Sequence, residues 1–211
     1  MTARGVPASG RDRHVVVSAE RGDLDVLSQV IADAFHPLAV SQWLIPDPQA
    51  RREVFPGYFR IFAEHAMDTG TVLTTPDRTA VALWLPVGEE GPQPPEDYEK
   101  RLTAATGPWT GTFTELDTAF DQHHPMGLAH HHLPMLAVRP DHQGTGIGTA
   151  LLDAHHRFLD AAGLPAYLEA SGPDTRQVYL RHGYADHGSP IRLPDGLMMY
   201  PMLRHPQATS G

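Results

Sequence analysis

Apolar and polar residues alternate along this chain with two different periods, which predict strands and helices in turn. Short apolar runs bounded by turn residues predict strands, and apolar residues that recur every three to four positions predict amphipathic helices. The two patterns interleave, which is typical of an α/β protein. Strands are predicted at 14–19, at 71–86 as a pair around the turn TPDRT, and at 130–140, 165–171 and 196–203.

Helices are predicted between these strands. Asp23 is a candidate N-cap for the first of them. Gly183 is expected to stop the last one, and Pro56 is expected to interrupt the second. The predicted helical regions are 21–35, 48–70, short helices within 96–122, 146–162 and 174–184. In the region 146–162, the spacing places Ile147, Leu151, Ala154 and Phe158 on one buried face. Trp43, Trp84 and Trp109 are expected in the core.

Length and composition bound the class of protein. The 211 residues suit a single domain, predicted at 13–203, with flexible tails at 1–12 and 204–211. The segment 87–130 begins with a loop rich in Pro, Gly and acidic residues. A net charge of −9 argues against non-specific binding to nucleic acid. No cysteine, signal peptide or membrane-spanning run is present in the sequence, so a cytoplasmic protein without disulfides or thiolate metal sites is expected.

The stretch VRPDHQGTGIGTALL (138–152) sets Gly144, Gly146 and Gly148 between a predicted strand and a predicted helix. Glycines allow close backbone approach, and the free N–H groups of a helix start attract anions, so the junction predicts a phosphate site. A P-loop would need a lysine near the last glycine, and this stretch has none. A dinucleotide fingerprint would need Gly or Ala where Thr149 or Leu151 stands.

The pattern Q-x-x-G-x-G does fit, and here it runs from Gln143 to Gly148. It resembles the coenzyme A pyrophosphate loop of the GNAT (Gcn5-related N-acetyltransferase) superfamily. The later stretch LEASGPDTRQVYLRHGY (168–184) is similar to the fifth strand and fourth helix of that fold, with Tyr179, Gly183 and Tyr184 at its usual ending. Three stretches resemble the puromycin N-acetyltransferase-like branch and occur along the chain in the same order as there: AFHPLAVSQWLIPD, VRPDHQGTGIG and PAYLEAS.

The resemblance implies a mixed, mostly antiparallel sheet flanked by helices, with a V-shaped splay between its fourth and fifth strands. It implies acetyl-CoA as cosubstrate, and it makes 87–130 a variable insertion on the acceptor side. Thr175 stands where the branch often has an Asn that contacts the pantetheine arm. The residues expected to contact coenzyme A are Leu136, Ala137, Val138, Gln143, Gly144, Thr145, Gly146, Ile147, Gly148, Thr149, Thr175 and Tyr179.

Three residues are candidates for the chemistry of amine acetylation. Tyr179 matches the family position of the acid that protonates the leaving thiolate, and a phenol stays protonated at neutral pH. Glu169 lies in the middle of the apolar strand AYLEA, so it either lines the site or faces solvent. His132 is a candidate base on the same strand face as His130, with His131 on the other.

Other interpretations stay open. The histidines could pack or be solvated. The sequence shows neither the helical H-x-x-x-H spacing nor the nearby carboxylate that would indicate a zinc cluster, so no metal is expected. The expected acceptor is a primary amine of a small molecule, such as an aminonucleoside antibiotic or another natural product. Alternatives are a protein or peptide amine, or a non-catalytic acyl-CoA-binding sensor. No nucleic-acid or membrane partner is expected, and a monomer and a homodimer are both compatible with the sequence.

Overall fold

Strands and helices alternate in this computed structural model, which describes residues 14–208. The predicted tail 1–12 lies outside the described residues. The eight strands are β1 Val17–Ser18, β2 Thr71–Thr74, β3 Ala80–Val87, β4 His130–Val138, β5 Ala166–Ala170, β6 Ala185–Asp186, β7 Ile191–Arg192 and β8 Met198–Arg204. The seven α-helices are α1 Leu24–Phe35, α2 Ala39–Leu44, α3 Pro48–Thr69, α4 Tyr98–Thr106, α5 Thr110–Asp121, α6 Ile147–Ala162 and α7 Pro173–Arg181.

The strands form one sheet in the order β1-β2-β3-β4-β5-β8-β6, with β7 paired to β8. Every pairing is antiparallel except that of β4 with β5, which is parallel. The architecture is therefore mixed α/β with a mainly antiparallel sheet flanked by helices, as the sequence predicts. Among the described residues, no helix combines the length and the apolar character needed to cross a membrane.

Strand β3 explains how the two faces of the sheet are covered. Its side chains alternate, so Val81 and Leu83 join the core formed with α1 and α3. Ala82 and Trp84 point to the opposite face, where α6 packs. The helix α1 buries the predicted apolar positions against the first face. The strand therefore carries a separate hydrophobic core on each side.

Two sequence predictions about helices are wrong. Pro56 does not interrupt the second helix, because α3 continues from Pro48 to Thr69 with this proline inside it. Phe55 and Phe59 are buried on either side of Pro56, and that burial offsets the missing N–H donor. Phe158 is not on the buried face of α6, since it is 54% exposed. The buried stripe instead passes through Leu151, Leu152, His155, His156 and Leu159.

The C-terminal strand ends later than the sequence predicts. Arg204, predicted as the first residue of a flexible tail, is the buried last residue of β8. Its Nη1 and Nη2 donate to the two carboxylate oxygens of Asp160 at 2.7 and 2.8 Å. The backbone N–H of Gln207 also donates to Asp160. This bidentate pair attaches the end of β8 to α6.

Candidate active site

The glycine loop lies between β4 and the start of α6. Gly144 and Gly146 have φ angles of +76° and +93°, which L side chains rarely adopt, and Gly146 is the N-cap of α6. The side-chain amide of Gln143 donates to the carbonyl of Val138 at 3.0 Å and holds the loop against the end of β4. The first turn of α6 leaves its backbone N–H groups without intrahelical partners. The loop can therefore bind an anion through its main chain.

The splay of the sheet begins next to this loop. Met135 of β4 pairs with Leu83, and His132 pairs with Leu85, so Leu133 and Pro134 together face the single residue Trp84. This is a β-bulge in β4. The registered pairing of β4 with β5 covers only His131 with Ala166 and His132 with Tyr167. Beyond the bulge β4 leaves β5, which opens the cleft that the sequence predicts between these strands.

A cavity of about 500 Å³ occupies this cleft. Its lining includes Gln143, Leu136 and Val138 beside the glycine loop, and Thr175 and Tyr179 on α7. His132 and Glu169 also line it. The cavity thus brings together all three predicted catalytic residues and several predicted coenzyme A contacts. Ala137 differs, because its side chain is buried in the core beneath α1 and α3.

The rest of the predicted coenzyme A loop does not line this cavity. A Cβ atom added at Gly148 would lie 3.7 Å from the Val138 side chain, which is an ordinary contact distance. The loop therefore packs closely on β4. The Thr149 hydroxyl lies 3.3 Å from Nε2 of His182. Thr145, Gly146 and Thr149 border an open groove beside β1 and β2. Ile147 is buried in the core between α6 and the sheet.

His132 on β4 and Glu169 on β5 form a hydrogen-bonded pair, called the dyad below. Nε2 of His132 lies 2.8 Å from Oε2 of Glu169, and the two side chains are 15% and 5% exposed. Burial raises the pKa of Glu169, but the nearby His132 and His124 imidazoles lower it more, so its net pKa lies below the ordinary value. The carboxylate is therefore ionised and paired, as a buried charge must be.

Further histidines extend the dyad away from the cavity. His130 Nδ1 lies 2.8 Å from the Leu128 carbonyl, which can only accept, so His130 carries its proton there. Burial lowers the pKa of His130 and keeps the ring neutral. His130 Nε2 therefore accepts from His124 Nε2 at 3.0 Å. His124 Nδ1 lies 4.0 Å from Oε1 of Glu169, an oxygen with no hydrogen-bond partner among the described residues.

This cluster bears on the expectation that the protein has no metal site. One ligand atom each from His124, His132 and Glu169 lie within 4.8 Å of one another, a spacing that a divalent cation could bridge. The carboxylate missing from the sequence argument is supplied by β5, 37 residues from His132. The 2.8 Å contact between His132 and Glu169 has the length of a hydrogen bond, which places a proton on His132 Nε2. Such a hydrogen bond fixes the orientation of the imidazole and can stabilise its protonated form.

Tyr179 lines the same cavity. Its ring packs edge-on to Tyr184, with centroids 5.6 Å apart. Burial raises the pKa of Tyr179, so its hydroxyl stays protonated at neutral pH. Among the described residues no group hydrogen-bonds this hydroxyl, which leaves it available to a reacting molecule. Thr175, one turn earlier, donates its hydroxyl to the carbonyl of Gly172 at 3.0 Å and so helps to fix the start of α7.

The sequence analysis missed the wall opposite the dyad. Aromatic side chains from α1, α3 and α5 form it, together with the carboxylate of Asp117. Pattern and spacing along the chain do not predict this cavity, because the three helices converge only in three dimensions. The β-bulge could have been predicted, since Pro134 inside an apolar strand is a known signal of a bulge or an edge. The aromatic side chains of this wall are Phe35, Tyr58, Phe59, Phe62 and Phe120.

The comparisons with known proteins agree with this architecture. Residues 115–205 match the family model described as an acetyltransferase (GNAT) domain. A Corynebacterium glutamicum structure described as histone acetyltransferase HPA2 and related acetyltransferase is 22% identical, with a TM-score of 0.71, over 94% of this chain and 99% of that one. Arylalkylamine N-acetyltransferase 2 of Aedes aegypti is 12% identical, with a TM-score of 0.60, over 93% and 100% of the chains.

A protein-modifying enzyme also has a similar structure. The ribosomal-protein-S18-alanine N-acetyltransferase of Escherichia coli is 18% identical, with a TM-score of 0.51, over 94% of this chain and 96% of that one. These likenesses establish the fold, and the family-model match supports an acetyl-CoA-dependent acyltransferase. The chain has the GNAT fold, and its residues 115–205 match the acetyltransferase domain of that superfamily.

Proposed function

We propose that this protein transfers the acetyl group of acetyl-CoA to the primary amine of a small molecule by direct attack in a ternary complex. The observation that carries the proposal is the single cavity that holds His132, Glu169 and Tyr179 beside the glycine loop. A base, a carboxylate that orients it and an acid are the groups that acyl transfer to an amine requires. An aminonucleoside antibiotic or another natural product is the finer proposal for the acceptor.

The donor would bind along the glycine loop and β4. The free N–H groups between Gln143 and Thr149 would hold the pyrophosphate, and the backbone of Leu136, Ala137 and Val138 would bond the pantetheine arm. A backbone N–H of β4 would stabilise the oxyanion that develops on the thioester carbonyl. Thr175 lies at the cavity wall, where its hydroxyl could contact the same arm.

The dyad would activate the acceptor. An amine attacks only when neutral, so the acceptor ammonium must first lose a proton. His132 would take it on Nδ1, because Nε2 already donates to Glu169. The paired carboxylate would stabilise the imidazolium that forms, and it holds the ring in one orientation. The amine nitrogen then forms a bond to the thioester carbonyl carbon.

Tyr179 would complete the reaction. When the carbon–sulfur bond breaks, the departing thiolate needs a proton. The Tyr179 hydroxyl is a protonated group that lines the cavity and has no hydrogen-bond partner among the described residues. The products are the amide and free coenzyme A. The acylated nitrogen still carries the extra proton of the attacking amine, and it passes that proton to the tyrosinate, which restores the phenol. His132 then releases its own proton to solvent.

The size of the cavity favours a small acceptor over a protein. A volume of about 500 Å³ walled by aromatic side chains matches the usual site for a small organic molecule. The segments 30–60 and 87–130 both contribute residues to the lining of this cavity, as a deep site for a small molecule requires. The arylalkylamine acceptors named for some structural neighbours are of the same size class, whereas the Escherichia coli neighbour is named for a protein alanine.

The decisive assay measures thiol release from acetyl-CoA against a panel of amines. The panel contains aminonucleosides, aminoglycosides, arylalkylamines, polyamines, amino acids and short peptides, and calorimetry follows acetyl-CoA binding in parallel. Turnover of a small amine supports the proposal, and turnover of peptides alone would contradict it. Tight binding without any turnover would favour an acyl-CoA-binding sensor, and absence of binding would refute the coenzyme A assignment.

Tyr179→Phe tests the role of the acid. We expect kcat to fall about 10- to 100-fold, since the thiolate loses its proton donor, while the Kd for acetyl-CoA stays within twofold. Tyr200→Phe is the matched control, because Tyr200 on β8 lies outside the cavity lining and stacks on Arg176. Equal rates for wild type and Tyr179→Phe would remove this tyrosine from the mechanism.

A further inference from the structure

A second carboxylate, that of Asp117, lines the cavity, and the proposed acetyl transfer does not use it. Asp117, on the inner side of α5, lines the cavity with the aromatic side chains of α1, α3 and α5. Tyr98 of α4 donates its hydroxyl to Oδ2 of Asp117 at 2.8 Å. Among the described residues no donor bonds the other oxygen, Oδ1. Asp117 is therefore held in place by one oxygen, while its other oxygen is left without a protein donor among the described residues.

The charges around the cavity are one-sided. The acidic and basic side chains that line it are Asp117, Glu169 and His132, and none of the lining residues is a lysine or an arginine. Glu169 is already paired with His132, so Asp117 is the carboxylate without a cationic partner. A carboxylate in a partly apolar wall gains most from a cationic ligand, and a second carboxylate on the ligand would be repelled.

The surroundings of Asp117 suit a cation on an apolar body. Tyr58, Phe62 and Phe120 contribute aromatic surface to the same wall, and aromatic faces attract ammonium groups. Burial raises the pKa of Asp117 to about 6, which marks the cost of holding this carboxylate without a compensating charge. A bound ammonium would supply that charge. The lining of the cavity thus carries the dyad on β4 and β5, Tyr179 on α7 and a carboxylate without a cationic partner on α5.

We propose that Asp117 binds a second ammonium group of the acceptor, so that the preferred substrates are compact diamines with an aromatic or aliphatic body between their two amines. This inference rests on the proposed function, since one amine must reach His132 while the other is held by Asp117. It also predicts that amino acids and other carboxylate-bearing amines are poor acceptors. Asp117 is a specificity-determining residue in this arrangement and takes no part in the bond changes.

Three matched acceptors test the proposal: benzylamine, 4-(aminomethyl)benzylamine and 4-(aminomethyl)benzoate. They share one body and differ only in the group opposite the reacting amine. We expect kcat/KM to be at least 10-fold higher for the diamine than for benzylamine, and lowest for the carboxylate. Asp117→Asn should lower kcat/KM for the diamine about 10-fold or more and change that for benzylamine less than twofold.

Glu115→Gln is the matched control, because Glu115 is an exposed carboxylate on the same helix that does not line the cavity. It should leave the order of the three acceptors unchanged. An equal loss for benzylamine and the diamine in Asp117→Asn would assign Asp117 a structural role and overturn the inference, as would a wild type without preference for the diamine. If no amine is acetylated, the proposed function fails, and calorimetric binding of the same three compounds to wild type and Asp117→Asn then decides the role of Asp117.

Discussion

Two clusters of histidines lie on opposite faces of β4 and differ in what surrounds them. The cavity cluster consists of His124, His130, His132 and Glu169. The outer cluster consists of His131 and His155, whose Nδ1 and Nε2 atoms lie 3.0 Å apart, with Trp84 stacked on His155 at 4.3 Å between ring centroids. Adjacent residues of one strand thus enter two environments, because successive side chains point to opposite faces.

The difference between the clusters is the reason that we propose His132, and not His131, as the base. Burial lowers the pKa of His131 and His155 in the outer cluster, and there the rings pack as neutral aromatic groups. In the cavity cluster, Glu169 supplies the charge that can stabilise an imidazolium, and His132 lines the cavity. Sequence proximity and burial are common to both clusters. The carboxylate from β5 and the opening to the cavity distinguish them.

The largest expected effect separates His132 from its neighbour His131. We expect His132→Gln to lower kcat/KM about 100- to 1000-fold, because the acceptor ammonium loses its proton acceptor. His131→Gln should change kcat/KM less than twofold, since His131 faces away from the cavity. Steady-state thiol release with the best acceptor measures both. The assignment of the base would be wrong if the two variants lost activity equally while both remained folded by circular dichroism.

A smaller effect concerns acid stability, which both clusters should share. Burial lowers the pKa of His155 to about 3, with His131 and His156 as the neighbouring titratable groups, whereas an unfolded histidine titrates near 6.5. Between about pH 6.5 and 3 the unfolded state binds more protons than the folded state, so the free energy of unfolding falls as the pH falls. Urea unfolding at pH 7 and pH 5 should show this loss in wild type.

His155→Gln isolates the contribution of one ring. We expect the loss of unfolding free energy between pH 7 and pH 5 to be about 1–2 kcal/mol smaller in this variant than in wild type. His124→Gln should behave similarly, because burial also lowers the pKa of His124 to about 3. Parallel curves for wild type and both variants would mean that these rings take up protons in the folded state.

The smallest effect is expected from metal removal. The hydrogen bond between His132 and Glu169 requires a proton on Nε2, and a metal would need that lone pair. Dialysis against EDTA should therefore leave kcat/KM within 20% of its initial value, checked by metal analysis of the dialysed protein. A loss that zinc restores would show that the cavity cluster works as a metal site.

The sequence predicted the fold well because its signals are local. The apolar spacing of α1, the turn between β2 and β3, and the glycines before α6 each specify an element without reference to the rest of the chain. The alternation of His130, His131 and His132 was predicted for the same reason. Pro56 and Phe158 were predicted wrongly, because in both cases packing against distant residues outweighed the local preference.

The site was predictable only in part, since its groups come from separate elements. Glu169 was identified as a carboxylate in an apolar strand, which implied a partner but did not name His132. Asp117 carries no local signal that distinguishes it from other acidic residues on helices. Its importance arises from the convergence of α1, α3 and α5 around one cavity, which pattern and spacing do not encode.

The parting of β4 from β5 has a mechanical consequence. β3 and β4 are joined by seven registered residue pairs, whereas β4 and β5 share two. The boundary between β4 and β5 is therefore a seam across the middle of the sheet, with fewer paired residues than the pairing of β3 with β4. Motion along this seam would widen or narrow the cleft while costing few backbone hydrogen bonds. The compliance of the sheet itself is therefore available for substrate entry and product release.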